Sequence, residues 1–203
     1  AEHLPIISEA RRQVAHTAIR NRGTVGGSLA LADPAAELPA CCLAYDADIV
    51  VIGNSGERRI PAAEFFLGLY ETALANDEII TAVEFASHNA AHHRCAFAEI
   101  SRRHGDYAMA GLAISAQLTN ENTLEQVRVA LFGVSDRALR IQPAEEFLQG
   151  RGPNQTNIDQ AAELLEGSFE PAADLNASEP MKLHLSKVLL KRNMGKLIDP
   201  GRA

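Results

Sequence analysis

Apolar positions fall at helical spacing at the start of the chain, where Leu4, Ile7, Ala10 and Val14 recur every three or four residues with Pro5 in the first turn. That pattern predicts an amphipathic helix ending near His16. A glycine-containing loop is expected over Asn21 to Leu31, and Asp33-Pro34 then reads as an N-cap followed by proline at N1, opening a helix through Leu38 and Leu43. The β-branched run Ala47 to Ile52, the turn Gly53-Asn54-Ser55-Gly56 and the return Glu57 to Ile60 predict a hairpin, with a short helix after Pro61. Beyond a connection over Gly68 to Ala75, the period changes to two. Ile79, Thr81, Val83 and Phe85 alternate with Ile80, Ala82 and Glu84, as in a strand.

Ser87 to His93 is small and polar and marks the expected domain boundary. Strands are then predicted over Arg94 to Ser101, Leu112 to Leu118 and Val127 to Val134, with a turn at Asn120-Glu121-Asn122 and an edge strand over Ala138 to Ile141. This is a β-meander. Helices follow over Pro143 to Gln149, Ile158 to Glu166 and Pro180 to Ile198. The fold class expected is α+β, with one domain over residues 1–87 and a small C-terminal α+β domain over 94–203.

Composition narrows the function classes. The chain is 46% hydrophobic and 22% charged, enough for a sizeable core, and its net charge of -7 with scattered cations gives no basic stripe for a nucleic acid or an anionic membrane. No apolar run approaches the roughly 20 residues of a membrane span, and nothing has the pattern of a signal peptide. A cytoplasmic location is expected. Cys41, Cys42 and Cys95 have neither disulfide-framework nor CxxC metal spacing, so reduced thiols are expected. His88, His92 and His93 lack an organised carboxylate or thiolate partner and read as a solvated loop rather than a metal site. The N-x-S/T matches at Asn154 and Asn176 are common by chance and carry no weight. Glu57 with Arg58, and Glu145 with Glu146, read as surface charge.

The most informative stretch is Thr24-Val25-Gly26-Gly27-Ser28 ahead of Asp33-Pro34-Ala35-Ala36-Glu37. Paired glycines admit positive φ and let backbone N–H groups approach a ligand with no Cβ in the way, while Thr24 and Ser28 add hydroxyls. Such a loop can hold phosphate, and the positive end of the helix beginning at Pro34 favours an anion nearby. Asp33 and Glu37 would repel a pyrophosphate and suit ribityl or ribose hydroxyls better. A plain Gly-Gly turn with Asp33 as a cap explains the same residues about as well. In Ser101-Arg102-Arg103-His104-Gly105-Asp106-Tyr107-Ala108, the tyrosine can stack on a flat cofactor and the arginines can meet phosphate or carboxylate; a charged connection with one amphipathic tyrosine is the plainer alternative.

Taken in order, Asn21 to Ala30, Ala32-Asp33-Pro34-Ala35-Ala36-Glu37-Leu38-Pro39, Phe65-Phe66, Glu78-Ile79-Ile80 and Ser101-Arg102-Arg103 through Asp106-Tyr107-Ala108 closely resemble the medium, flavoprotein subunit of aerobic carbon monoxide dehydrogenase-type molybdenum hydroxylases. Xanthine dehydrogenases carry a related flavin domain. The resemblance covers nearly the whole chain. It implies noncovalent FAD in the second subdomain of a vanillyl-alcohol-oxidase-type fold, followed by the small C-terminal α+β domain. It places the nucleotide on Thr24, Val25, Gly26, Gly27 and Ser28, puts Asp33 and Glu37 against the flavin nucleotide, sets Ile80 near the isoalloxazine and lays Tyr107 over the ring.

The same resemblance implies an electron-transfer role. A molybdopterin large subunit oxidises the substrate, [2Fe-2S] clusters of an iron-sulfur small subunit relay electrons, and FAD passes them to an external acceptor. No catalytic residue or metal ligand is expected on this chain. Two features depart from the family. Its first glycine-pair loop, of the Ala-Gly-Gly-x-Ser kind and borne on a preceding subdomain, is not among these 203 residues, and Ala98 stands where xanthine dehydrogenases carry a lysine near the flavin. A fragment, a separate chain supplying the first subdomain, and loss of strong FAD binding all stay open as explanations. Two rival functions stay open with them: a self-contained flavin oxidase, for which no acid/base pair stands out, and a non-catalytic assembly module.

Overall fold

Strand β7 (Ala110–Leu118) sets the architecture, because its first seven residues are buried whatever their parity. A strand buried on both faces must be a middle layer. It pairs with β6 (His93–Ile100) and β8 (Leu124–Phe132), and β9 (Leu139–Arg140) completes a four-stranded antiparallel sheet in the order β6-β7-β8-β9. The computed structural model describes residues 4–87, 91–103 and 105–199.

One face of this sheet carries Leu112, Ile114, Val129 and Leu131 and is covered by α6 (Gln142–Leu148), α7 (Gln155–Glu163) and the 20-residue α8 (Glu179–Ile198). The other face carries Phe97, Ala113, Ala130 and Phe132 and packs on α1 (Pro5–Gln13) and α4 (Glu37–Ala44). The two segments of the chain therefore share a core. Gly111 is small for a reason: a Cβ there would enter the Phe132 ring, which stacks on Phe97 with centroids 5.6 Å apart.

Polar contacts fasten the same seam. The Ser115 hydroxyl donates to the Ala44 carbonyl at the end of α4 (2.5 Å). The Phe97 N–H, on the open edge of β6, donates to the Glu9 carboxylate of α1 (3.2 Å). Asp46 accepts from both Arg128 and Arg140. Glu145, expected at the surface, is 6% exposed, accepts from the Val129 N–H and pairs with Arg140. In an amphipathic helix begun at Gln142, position 145 faces the sheet and 146 does not, and the neighbouring pair of glutamates does not reveal which is which. Arg58 and Arg59, by contrast, are half-exposed ion-pair partners of Glu78 and Glu84.

The remaining strands lie in the first segment. β1 (Asp48–Gly53) and β2 (Gly56–Pro61) form the expected hairpin, and β5 (Ile79–Glu84) pairs antiparallel with β1 on its other side. After α5 (Ala62–Phe65), the connection over Gly68 to Ala75 contains a small hairpin, β3 (Phe66–Gly68) with β4 (Glu71–Thr72). The first helix stops at Gln13, and a further turn, α2 (Thr17–Arg20), follows it. His92 and His93 are not a solvated loop. Ring Nδ1 of His92 lies 3.2 Å from the Leu118 carbonyl, and His93 opens β6 with its ring edge-on to buried Tyr45. His88 lies outside the described residues. Asn154 and Ser178, from the two N-x-S/T matches, cap α7 and α8 through their side chains.

Candidate functional site

The paired glycines are helical. The segment expected as a loop contains α3 (Val25–Leu31), and neither Gly26 nor Gly27 has positive φ. Thr24 explains this. Its backbone is extended and its Oγ1 accepts from the Gly27 N–H (2.9 Å), an N-cap that starts the helix one residue later. The N–H groups of Val25 and Gly26 stand in the first turn, where no intrahelical acceptor exists. A Cβ on Gly27 would come 2.9 Å from Thr24 Oγ1, whereas one on Gly26 would find nothing nearer than Ile80 Cβ at 3.8 Å. Gly26 therefore keeps space open beside Ile80 of β5.

Asp33 does not cap a helix at Pro34. Its carboxylate accepts from the Ala35 N–H (2.9 Å) and its carbonyl from the Ala36 N–H, a closed turn that delays α4 to Glu37. This turn is tied to the second segment, since the Gly133 N–H donates to the Pro34 carbonyl (2.7 Å). Gly133 in turn has no room for a side chain, because a Cβ would meet the Ala108 carbonyl at 2.7 Å. That chain of contacts sets Tyr107 beside Asp33.

Tyr107 is 69% exposed, and the Asp33 carboxylate, then partial burial, then Tyr70 and Glu37 push its phenol pKa up. Burial, with help from Asp33, holds the Glu37 carboxyl above the usual range although it sits at a helix N-terminus. The loop before Tyr107 is braced by Arg103, whose guanidinium pairs with Asp106 (3.2 Å). His104 lies outside the described residues.

The expected residues thus form two adjoining groups joined by α3: Thr24 to Ser28 with Ile80, and Asp33 with Glu37 and Tyr107. Their surroundings are apolar and open, with Val25, Leu31, Ile79 and Tyr70 all more than half exposed. Sequence reasoning missed two members. Tyr70, in the β3–β4 turn, holds a left-handed φ of 55, rare outside glycine. Glu99 on β6 shares its face with Cys95 and Phe97 by strand alternation, which was a usable signal. Its Oε2 is buried with no hydrogen-bond partner, and burial followed by Glu37 pushes its carboxyl pKa up to about 7.

These residues fit a dinucleotide bearing a flat ring. Gly26 leaves a surface that a Cβ would fill, first-turn N–H groups and two hydroxyls suit phosphate, carboxylates suit sugar or ribityl hydroxyls, and exposed apolar side chains and tyrosines suit a ring. Among the described residues no group of acids, histidines and cysteines is placed to hold a metal, and no helix is long and apolar enough to cross a membrane.

Comparisons with known proteins agree with this chemistry. The family described as FAD binding domain in molybdopterin dehydrogenase matches residues 1–86, and the CO dehydrogenase flavoprotein C-terminal domain matches residues 95–197. The chain is 34% identical to the 6-hydroxypseudooxynicotine dehydrogenase complex subunit alpha of Paenarthrobacter nicotinovorans, over 100% of this chain and 68% of that protein. To the nicotine 6-hydroxylase medium subunit of the same organism it is 36% identical, over 96% of this chain and 67% of the relative. Among solved structures, the carbon monoxide dehydrogenase of Hydrogenophaga pseudoflava lacking the Mo-pyranopterin moiety of its cofactor superposes with a TM-score of 0.93 at 32% identity, over 97% of this chain and 68% of that one. The chain spans about two thirds of the length of each.

Proposed function

Because the chain belongs to the FAD-binding medium subunits of the molybdenum hydroxylases, we propose that it is the electron-transfer module of such a complex, taking electrons from a partner's iron-sulfur clusters and passing them through FAD to an external acceptor. FAD, when bound, supplies the exchange between single electrons and electron pairs. The protein's own residues bind and orient. The first-turn N–H groups of Val25 and Gly26 and the hydroxyls of Thr24 and Ser28 hold the nucleotide's phosphates, with Gly26 and Gly27 giving the backbone close approach. Asp33 and Glu37 accept from sugar or ribityl hydroxyls. Ile80 gives an apolar wall and Tyr107 covers the ring, which limits water at that face. Substrate oxidation belongs to a molybdopterin subunit and the clusters to an iron-sulfur subunit.

The observation that carries this reading is the space kept at Gly26 beside Ile80, on the helix that leads into the Asp33 turn where Glu37 and Tyr107 gather. The test is to purify the protein natively, weigh the co-purifying chains and add the complex's substrate anaerobically. Bleaching of the flavin absorbance in the complex, with no turnover by the separated chain, is expected. Turnover by the chain alone would favour a self-contained flavin oxidase, and a colourless protein that does not bind FAD would favour an assembly module.

A further inference from the structure

Lys182, near the start of α8, is 4% exposed, and lysine is almost never buried unless its ammonium is paired. Its Nζ donates to the Gly133 carbonyl (2.7 Å) and pairs with one oxygen of the Asp174 carboxylate (2.8 Å). Asp174 is itself fixed, because its other oxygen accepts from the N–H groups of Asn176 (2.6 Å) and Ala177 (2.9 Å). The ammonium thus joins an anchored counterion to one backbone carbonyl, and that carbonyl lies where β8 has ended and the chain turns toward the candidate site.

Gly133 is a joint between two peptide planes. The plane before it donates through the Gly133 N–H to the Pro34 carbonyl (2.7 Å), and the plane after it accepts from Lys182. Glycine has the widest choice of backbone conformations, so its left-handed φ of 74° is set here by the bonds at its two ends. Beyond the joint, the Val134 carbonyl accepts from the Ala172 N–H (2.8 Å) and the Ser135 hydroxyl donates to the Glu170 carbonyl (3.1 Å), which lays the stretch leading to Asp174 along the same segment. On the other side, Pro34 stands inside the closed turn that holds the Asp33 carboxylate on the Ala35 N–H (2.9 Å). Two direct hydrogen bonds therefore join α8 to the residue next to Asp33.

We propose that Lys182 is a positioning residue for the flavin nucleotide: by holding the Gly133 peptide it holds the Asp33 turn, and with it the carboxylate that accepts from the nucleotide's hydroxyls. Removing the ammonium takes the Lys182 donor from a carbonyl in a buried residue, and the peptide plane then turns to find another partner. The bond to Pro34 shifts with that plane. Hydrogen bonds weaken steeply with misalignment, so a small displacement of the Asp33 turn is felt at the ligand. The proposal rests on the flavin site described above, since Asp33 reports the position of the turn only if FAD lies against it.

The experiment titrates FAD into the natively purified protein with its co-purifying chains, stripped of flavin. Wild type is compared with Lys182→Met and with Lys182→Gln, the glutamine keeping a polar partner for Asp174 on a shorter side chain. Both variants should bind FAD about tenfold more weakly, the size of one misplaced hydrogen bond. Asn193→Leu is the comparison, because it removes another buried bond from α8 to the sheet, Asn193 Nδ2 to the Leu112 carbonyl (2.9 Å), that lies outside the path to Pro34. It should lower the thermal midpoint and keep wild-type FAD affinity. In an Asp33→Asn background, Lys182→Met should weaken binding by far less than its own factor, as expected of two residues that act through one contact. Wild-type affinity in the folded Lys182 variants, additive losses with Asp33→Asn, an equal loss of FAD in Asn193→Leu, or failure of both Lys182 variants to fold would overturn the positioning role. Absence of FAD binding by wild type would overturn the flavin reading itself.

Discussion

Replacing Gly26 by alanine separates the ligand's needs from those of the fold, because the two have opposite signs. A Cβ at Gly26 meets Ile80 at 3.8 Å, ordinary contact, and the residue is helical with no positive φ. Alanine is favoured over glycine inside a helix by about 1 kcal/mol, so the flavin-free protein should gain roughly 0.5–1 kcal/mol, or ~1–4 °C in a chain of this size. The same methyl occupies the space through which the backbone would approach a phosphate. FAD content should therefore fall while stability rises. Gly27→Ala makes the contrast, since its Cβ lies 2.9 Å from Thr24 Oγ1 and disturbs the N-cap, costing about 1 kcal/mol that offsets the gain in helix propensity. Thermal unfolding of the flavin-free protein and flavin absorbance per chain in the native preparation give the two readouts. Wild-type FAD content in Gly26→Ala would refute the reasoning, and so would a joint loss of flavin and stability, which would make the glycine a requirement of the fold.

Three further outcomes are expected. Tyr107→Ala should change flavin reduction and reoxidation rates more than FAD affinity, because the side chain is 69% exposed and covers rather than anchors; unchanged rapid-reaction kinetics would count against this. Arg140→Met leaves Glu145, 6% exposed, without its guanidinium and should destabilise the protein by about 3 kcal/mol, several degrees in thermal midpoint. For Glu99 the carboxyl is raised in the folded state, so its contribution is fully present below about pH 4.5 and is lost as pH rises through about 7. The displacement has a ceiling of ~3 kcal/mol, cut to about 1–2 kcal/mol by the solvent that still reaches this partly exposed side chain, and Glu99→Gln should flatten that part of the stability profile.

The meander and its flanking helices were legible because periodicity reports burial directly: β6, β7 and β8 alternate or run apolar, and α8 begins at a Ser-x-Pro start signal. What was not legible depends on tertiary context. Gly26 and Gly27 suggest a turn, yet the Thr24 cap makes them the first turn of a helix, and Asp33 is spent on the Ala35 N–H instead of on α4. Thr24, set three residues ahead of Gly27 at the spacing of an N-cap to the N–H it accepts from, was the local clue. Glu145 could not be told from Glu146 until the helix had a register against β8. The candidate site was legible as a set of residues but not as a shape. Glu99 joined it only once β6 was paired with β7 and covered by α1, although its parity with Cys95 and Phe97 was already on view.

The most direct test of the central claim is a titration of the flavin-stripped native protein with FAD, followed by flavin fluorescence, for wild type beside Gly26→Val. Saturable one-to-one binding by wild type, and its loss in a variant that keeps the wild-type far-ultraviolet circular dichroism, is the predicted result. Equal binding by both proteins, or none by wild type, would contradict a nucleotide seated against α3.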